Sequence, residues 1–358
     1  MLPRSCPLVP LFFLTALTQS HVAALPSPVR YTVTDLGTLP GGHSSRASAI
    51  NNRGQVVGWS DTGATKGVLT VHAFLREKGR MRDLDILPEY QKAPGTVARG
   101  INDHGVVVGG VEPIAQEGTN LAYCYQGAGW IWRNGRAQVI GGDALAVNNA
   151  GQALVSDGAH SLIWQAGKAQ GIPLVAGFQS VTATALSGHG DVAGYCQNGP
   201  GDTKGFVRLS GRSVLVGTLP GHNTSRVTAL NDHGQAVGTS SDEFYRKEGN
   251  SESSGTRSSR SFFWENGKLT DLGESSASGL GNRGQVVGIR FQPGAAGGTP
   301  TAFLWQDGRF TDLNGLIARD SGWNLQDARA INGRGQIIGY GEHDGQERAF
   351  LLTPLQKP

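Results

Sequence analysis

Two sets of residues in this sequence are spaced as chemistry would need them. Gly279, Gly281 and Gly284 spell G-x-G-x-x-G, the spacing of a dinucleotide-binding loop whose glycines let a pyrophosphate approach the backbone. His43 and Arg46 sit together in GGHSSR, and His222 and Arg226 in GHNTSR. Imidazole beside guanidinium can bind a carboxylate and move a proton, and Tyr195 is a further group able to take an α-proton. Those five residues are the catalytic candidates, for a polysaccharide lyase or hydrolase acting on an acidic glycan. Trp59, Tyr340, Trp323 and His343 are ligand-binding candidates, the aromatics as stacking platforms for sugar rings or as fillers between structural units. His343-Asp344 is a fragment of a metal motif, but the sequence has no His-x-x-His or Cys-x-x-Cys pair. No metal site and no cofactor is expected.

The elements that carry these residues repeat, and the repeat decides how the motifs are read. One phrase recurs seven times: AINNRGQVVG at 49–58, GINDHGVVVG at 100–109, AVNNAGQALV at 146–155, ALSGHGDVAG at 185–194, ALNDHGQAVG at 229–238, GLGNRGQVVG at 279–288 and AINGRGQIIG at 330–339. Its turn glycines are 39 to 51 residues apart. An aromatic phrase follows each copy (HAFL at 72–75, GWIW at 129–132, FFW at 262–264), and then a T-D-L-like phrase such as KLTDLG at 268–273. Each unit reads as four strands. The N-x-x-G between the first two is a hairpin turn: Asn can bond the backbone two residues on, and Gly can take positive φ without steric cost.

Seven such units predict an all-β fold, a seven-bladed β-propeller with four antiparallel strands per blade. YTVTDLGTLPGG at 31–42 is a fourth-strand phrase without its partners, and AFLL at 349–352 is a third-strand phrase without its successor. The N-terminal strand is therefore expected to pair into the last blade and close the ring. Within this repeat G-x-G-x-x-G loses its cofactor meaning. A phosphate-binding loop should open a helix, whereas QVVGIRF follows here as a strand pattern. Gly284 is the turn glycine of all seven units, and Gly281 stands where five copies have Asn and one has Ser.

The units resemble the HAF repeat of probable extracellular bacterial proteins, on DLGTLPGG at 35–42, AINNRGQVVG at 49–58 and HAFL at 72–75. The resemblance runs from about 31 to 354 and implies an exported repeat protein; it implies no particular reaction. Copies three and four depart most, with Val155 for the final Gly and Ser187 for the Asn.

Residues 1–24 read as a secretory signal peptide, with Arg4, an apolar run from Leu8 to Leu17, and small residues up to Ala24. Residues 25–358 then form the single propeller domain. Its expected place is secreted or periplasmic, with no membrane span after cleavage. Removing the leader lowers the formal charge from +3 to +2. With no basic block interleaved with aromatics, nucleic acid is not an expected partner. A monomer is expected. Export leaves Cys124 and Cys196, either a disulfide or two free thiols.

The loops that vary in length all fall on one face: those between second and third strands, and those between blades. The segment 239–260 is the longest of them and is Ser-rich. Length variation on one face of a repeat protein marks its binding side. The leading expectation is a secreted binding module offering that face to an extracellular polymer, glycan or protein. The alternatives are the acidic-glycan enzyme and a structural surface protein.

Overall fold

In a computed structural model of the chain, which describes residues 30–65, 68–84, 95–111, 128–158, 160–199, 201–248, 251–292 and 298–355, the repeat folds as a seven-bladed β-propeller. Seven antiparallel four-stranded sheets follow one another round a ring. Residues 1–24, where a signal peptide is expected, and residues 112–127, with Cys124, lie outside the described residues. The inner strands are Ser45–Ile50, Thr96–Ile101, Asp143–Val147, Ser180–Leu186, Thr224–Leu230, Ser275–Leu280 and Trp323–Ile331, and each touches its neighbours round the channel. Blade seven takes its outer strand from the start of the chain. Tyr31–Asp35 pairs antiparallel with Gln346–Pro354, Tyr31 opposite Pro354 and Asp35 opposite Phe350.

The asparagine of N-x-x-G does more than shape its turn. Asn51 Oδ1 accepts from the N–H groups of Arg53 and Gln55, both at 3.0 Å, and Gly54 at φ +80° closes the turn on the Asn51 carbonyl. Its Nδ2 then donates to the backbone carbonyl of Asn102 in the next blade at 2.9 Å. The same reach joins Asn102 to Asn148, Asn148 to Ser187, Asn231 to Gly281, and Asn332 back to Asn51. The circle is interrupted after blades four and six, where Ser187 and Gly281 have no amide to offer. A second circle lies outside it. Backbone N–H groups one residue further on donate to the next blade's side chain: Asn52 to Asp103, Asp103 to Asn149, Gly188 to Asp232, Asp232 to Asn282, and Gly333 to Asn52. At the seam between blades six and seven both circles are broken, because Gly281 has no side chain to donate and Gly333 none to accept. Arg283 crosses that seam alone among the turn residues, donating to the Gly333 carbonyl at 3.1 Å.

Within six blades a glycine on the second strand faces an aromatic on the third: Gly58 and Phe74, Gly109 and Trp130, Gly194 and Phe206, Gly238 and Phe262, Gly288 and Phe303, Gly339 and Phe350. All six rings are fully buried. A Cβ on any of these glycines would collide with the inner-strand carbonyl, that of Arg46 in the case of Gly58, and in five of the six with other backbone or ring atoms as well. Blade three departs in both members at once, pairing Val155 with Leu162. The bulk removed from the third strand is returned on the second, so the blade core stays filled.

The Ser-rich segment is not an irregular loop. Ala236–Glu248 and Ser251–Glu265 form one long hairpin, paired from Ala236 opposite Trp264 out to Glu248 opposite Ser251. It projects from blade five beyond the other strands of its sheet.

Gly281 lies outside the left-handed φ region, and a Cβ there meets the Ile331 Cγ2 methyl at 3.2 Å, a contact that a side-chain shift of a few tenths of an ångström relieves. Gly281→Asn should therefore cap its turn and complete the link to blade seven. The gain expected is about 1–2 kcal/mol from the hydrogen bonds and the stiffer unfolded chain, read by calorimetry as a rise in Tm of a few degrees. An unchanged or lower Tm contradicts the ring account.

Candidate functional site at the channel mouth

In every blade the pairing of the inner strand slips by one residue between positions four and two before the turn. The residue three before the turn is thus a β-bulge, which re-aims a side chain out of the regular alternation. The seven bulged residues are Ser48, Arg99, Leu145, Thr184, Thr228, Ser278 and Arg329. Five of them (Ser48, Arg99, Thr228, Ser278, Arg329) line one cavity of about 690 Å³ together with Arg46 and Trp59. These belong to blades one, two, five, six and seven, so the cavity is the mouth of the central channel. It lies at the end of the inner strands remote from the N-x-x-G turns, on the face that carries the long loops.

Three guanidinium groups therefore share one cavity, and each is held by a carboxylate across or beside a blade seam. Arg46 makes a bidentate pair with Glu347 of blade seven, at 2.8 and 2.7 Å. Arg99 meets Asp143 of blade three, 3.1 Å apart. Arg329 meets Asp327, two residues back on its own strand, at 2.9 Å. Arg46 is further fixed between two rings, with Tyr340 4.2 Å and Trp59 5.6 Å from its guanidinium carbon. A guanidinium carries five N–H donors, and a bidentate carboxylate takes two. The three groups are thus oriented in advance for a planar anion such as a carboxylate.

Asp327 stands apart from the other two carboxylates. It is only 3% exposed. One oxygen takes Arg329, Tyr340 supplies a hydrogen bond, and Oδ1 has no hydrogen-bond partner. Burial pushes its pKa above the usual carboxylate range, against the opposing pull of Arg329, the Tyr340 hydrogen bond and Arg46. The like-charged Arg46 and Arg329 both act on this one carboxylate.

The structure does not bring the His–Arg set together. Arg46 lines the channel mouth, but His43 is exposed in the preceding loop. There its N–H donates to Asp61 Oδ1 at 2.6 Å and its carbonyl accepts from Arg348 at 3.1 Å. Arg226 lines a different cleft, bonded to Glu243 through both Nη atoms, and lies 5.5 Å over Tyr195. His222 Nε2 meets Ser258 Oγ at 3.1 Å. Neither histidine and neither Tyr195 nor Tyr340 lines the channel cavity. Tyr340 and Tyr195 do the same job in different seams: each lies under an arginine of the following blade. Trp59 reaches the mouth. Trp323 stacks on His343, ring centroids 4.6 Å apart and planes 7° from parallel, in a separate cleft of about 540 Å³ beside Asp35. Cys196 is buried with a free thiol that donates to the Lys204 carbonyl, and desolvation pushes its pKa up to about 11. Its proposed partner Cys124 lies outside the described residues. Among the described residues no group of three or more His, Cys, Asp or Glu is placed to hold a metal ion, and no helix is long and apolar enough to cross a membrane.

Arg99, Arg329, Asp327 and Glu347 were not singled out by sequence. A signal for the first two exists. In the aligned repeats the position three before the turn is Ser, Arg, Leu, Thr, Thr, Ser and Arg, polar in six copies between small apolar neighbours. The bulge at that position frees its side chain from the regular alternation.

No family model and no curated protein matches this chain. Solved structures do. A protein described as the extracellular domain of a hybrid two component system from B. thetaiotaomicron aligns with TM-score 0.51 at 9% identity, over 92% of this chain and 40% of its own. A second structure of the same extracellular domain, there described as that of a one component system, aligns with TM-score 0.50 at 10% identity, over 89% of this chain and 39% of its own. This chain thus spans about two fifths of that protein. A Trypanosoma rangeli sialidase aligns with TM-score 0.38 at 9% identity, over 88% of this chain and 54% of its own. At these identities the likeness is one of propeller fold alone.

The raised pKa of Asp327 has a measurable sign. The folded protein holds this proton more tightly than the unfolded chain, so the group's contribution to stability falls as pH rises from the ordinary value of 3.8 through the raised one. In Asp327→Asn that fall is absent. The Tm difference between variant and wild type should therefore move in the variant's favour across this window and then level off. A difference independent of pH contradicts the assignment.

Proposed function

We propose that the protein is an exported binding module that takes an acidic glycan at the channel mouth. The observation that carries this is the convergence of Arg46, Arg99 and Arg329 with Trp59 in one cavity of about 690 Å³ on the long-loop face. Guanidinium forks recognise carboxylates bidentately, and an indole face stacks on a sugar ring. The leader at 1–24 and the HAF-like repeat support export. A lyase needs a base beside its cation, and His43, His222 and Tyr195, the groups expected in that role, line no part of this cavity. Binding is therefore the reading preferred over catalysis.

Titration calorimetry of the mature protein with oligogalacturonides and with neutral gluco-oligosaccharides tests it. Binding is expected for the acidic series alone, weakening as salt is added. Arg99→Ala and Arg329→Ala should each weaken it about 10-fold or more, as for loss of a charge-assisted hydrogen bond. Equal binding of the neutral series, or the ultraviolet absorbance of unsaturated uronates accumulating in the mixture, would overturn the proposal.

A further inference from the structure

A second cleft opens beside the channel mouth. It has a volume of about 540 Å³ and lies between the hairpins of blades four and five, lined among others by Gln197, Thr203, Arg226, Phe244, Tyr245 and Thr256. It is joined to the channel through one strand. Thr228 faces the channel cavity and Arg226, two residues back, faces the cleft, a spacing of about 7 Å along a strand.

The cleft repeats the plan of the mouth. Arg226 occupies the position five before the turn, as Arg46 does. Each lies over the tyrosine one residue past the glycine of the preceding blade's second strand, and each is bonded to a glutamate through two of its nitrogens. What differs is the wall. At Arg226 the glutamate comes from the long hairpin of blade five, so the hairpin that projects beyond the sheet forms one side of the cleft. That wall is held in place. Asn223, in the loop entering blade five, donates from Nδ2 to the Glu243 carbonyl at 2.6 Å and accepts the Glu243 N–H on Oδ1 at 2.8 Å. Arg257 pairs with Asp242 at 3.2 Å and lies over Phe244. Tyr245 is 40% exposed, an amphipathic ring presented at the cleft by a fixed strand.

From this continuity we infer that the ligand is a chain: an acidic oligosaccharide that runs from the channel mouth across the rim of blade five into the cleft, with Arg226 as a further anion contact and Tyr245 as a stacking surface. A single sugar occupies the mouth alone, whereas a chain of several residues reaches both arginine sites. The inference rests on the acidic-glycan reading above and adds to it the length and path of the ligand.

Calorimetry with di- and hexagalacturonide distinguishes the two. In the wild-type protein the hexamer should bind at least about tenfold tighter than the dimer. Arg226→Ala and, separately, Tyr245→Ala should bring that ratio close to one. Arg329→Ala should lower both affinities and leave the ratio in place. Equal affinity of dimer and hexamer for the wild-type protein overturns the extended path while leaving the channel site standing. A ratio that survives both cleft variants does the same, and Tyr245→Ala keeps the test valid should loss of Arg226 disturb the seam. Failure of both probes to bind overturns the channel reading and this one with it.

Discussion

One side chain in five of the seven repeats closes both a hairpin and a ring. Asn51 and its counterparts hold their own turn with the amide oxygen and the neighbouring blade with the amide nitrogen. The strands of different blades share no ladder at that end, so their spacing is carried by these side chains, the second circle of hydrogen bonds and the apolar clusters between blades. With its oxygen fixed by two backbone N–H groups, the amide nitrogen has little freedom, and its reach to the next carbonyl sets the distance between inner strands. Buried amides of this kind are costly unless satisfied. Each Asn is, with the nitrogen also donating to a glutamine four residues on where one is present. The breaks at Ser187 and Gly281 are correspondingly local, since the outer circle or Arg283 still crosses those seams.

The far end of the same strands is governed by the glycine–aromatic pairs and the bulge. The bulged inner strand brings its carbonyl so close to the second strand that a Cβ does not fit, and in four of the six blades the buried ring of the third strand stands 2.5–3.0 Å from where that Cβ would be. Bulge, glycine and aromatic are thus one packing unit, and its consequence is functional. The bulge turns Arg99, Arg329 and three hydroxyl side chains into the channel. At their open ends the seams are then carried by charge, Arg99 with Asp143 and Arg46 with Glu347, where at the turn end they are carried by amides.

Much of this fold was legible in the sequence, because its repeat unit is defined by local chemistry. Asn and Gly three apart dictate a turn, and the unpaired phrases at 31–42 and 349–352 dictate how the ring closes. The site was legible only in part. Arg46 and Trp59 were marked by their place beside the repeat. Arg99 and Arg329 were not marked, because the bulge that turns their side chains is a product of strand pairing and leaves no period in the sequence. The His43 and His222 pairs, alike in sequence, promised a shared centre and lie in separate surroundings. Similar positions in different blades of a ring point toward one axis only when their side chains do, and loop residues need not.

Sequence by itself therefore determined the blade count, the turn chemistry and the face on which loops are free to vary, since each depends on interactions within about fifty residues. Tertiary structure alone decided which charges meet. Arg46 and Glu347 are 301 residues apart, and they touch because the ring closes. Arg99 and Asp143 touch because a bulge turns one across the seam toward the other. Burial of Asp327 beneath two arginines, and the fixing of the blade-five hairpin as the wall of a cleft, likewise depend on how neighbouring blades pack. Local pattern sets a strand and its turn; the separation and orientation of side chains across seams are set by the whole circle.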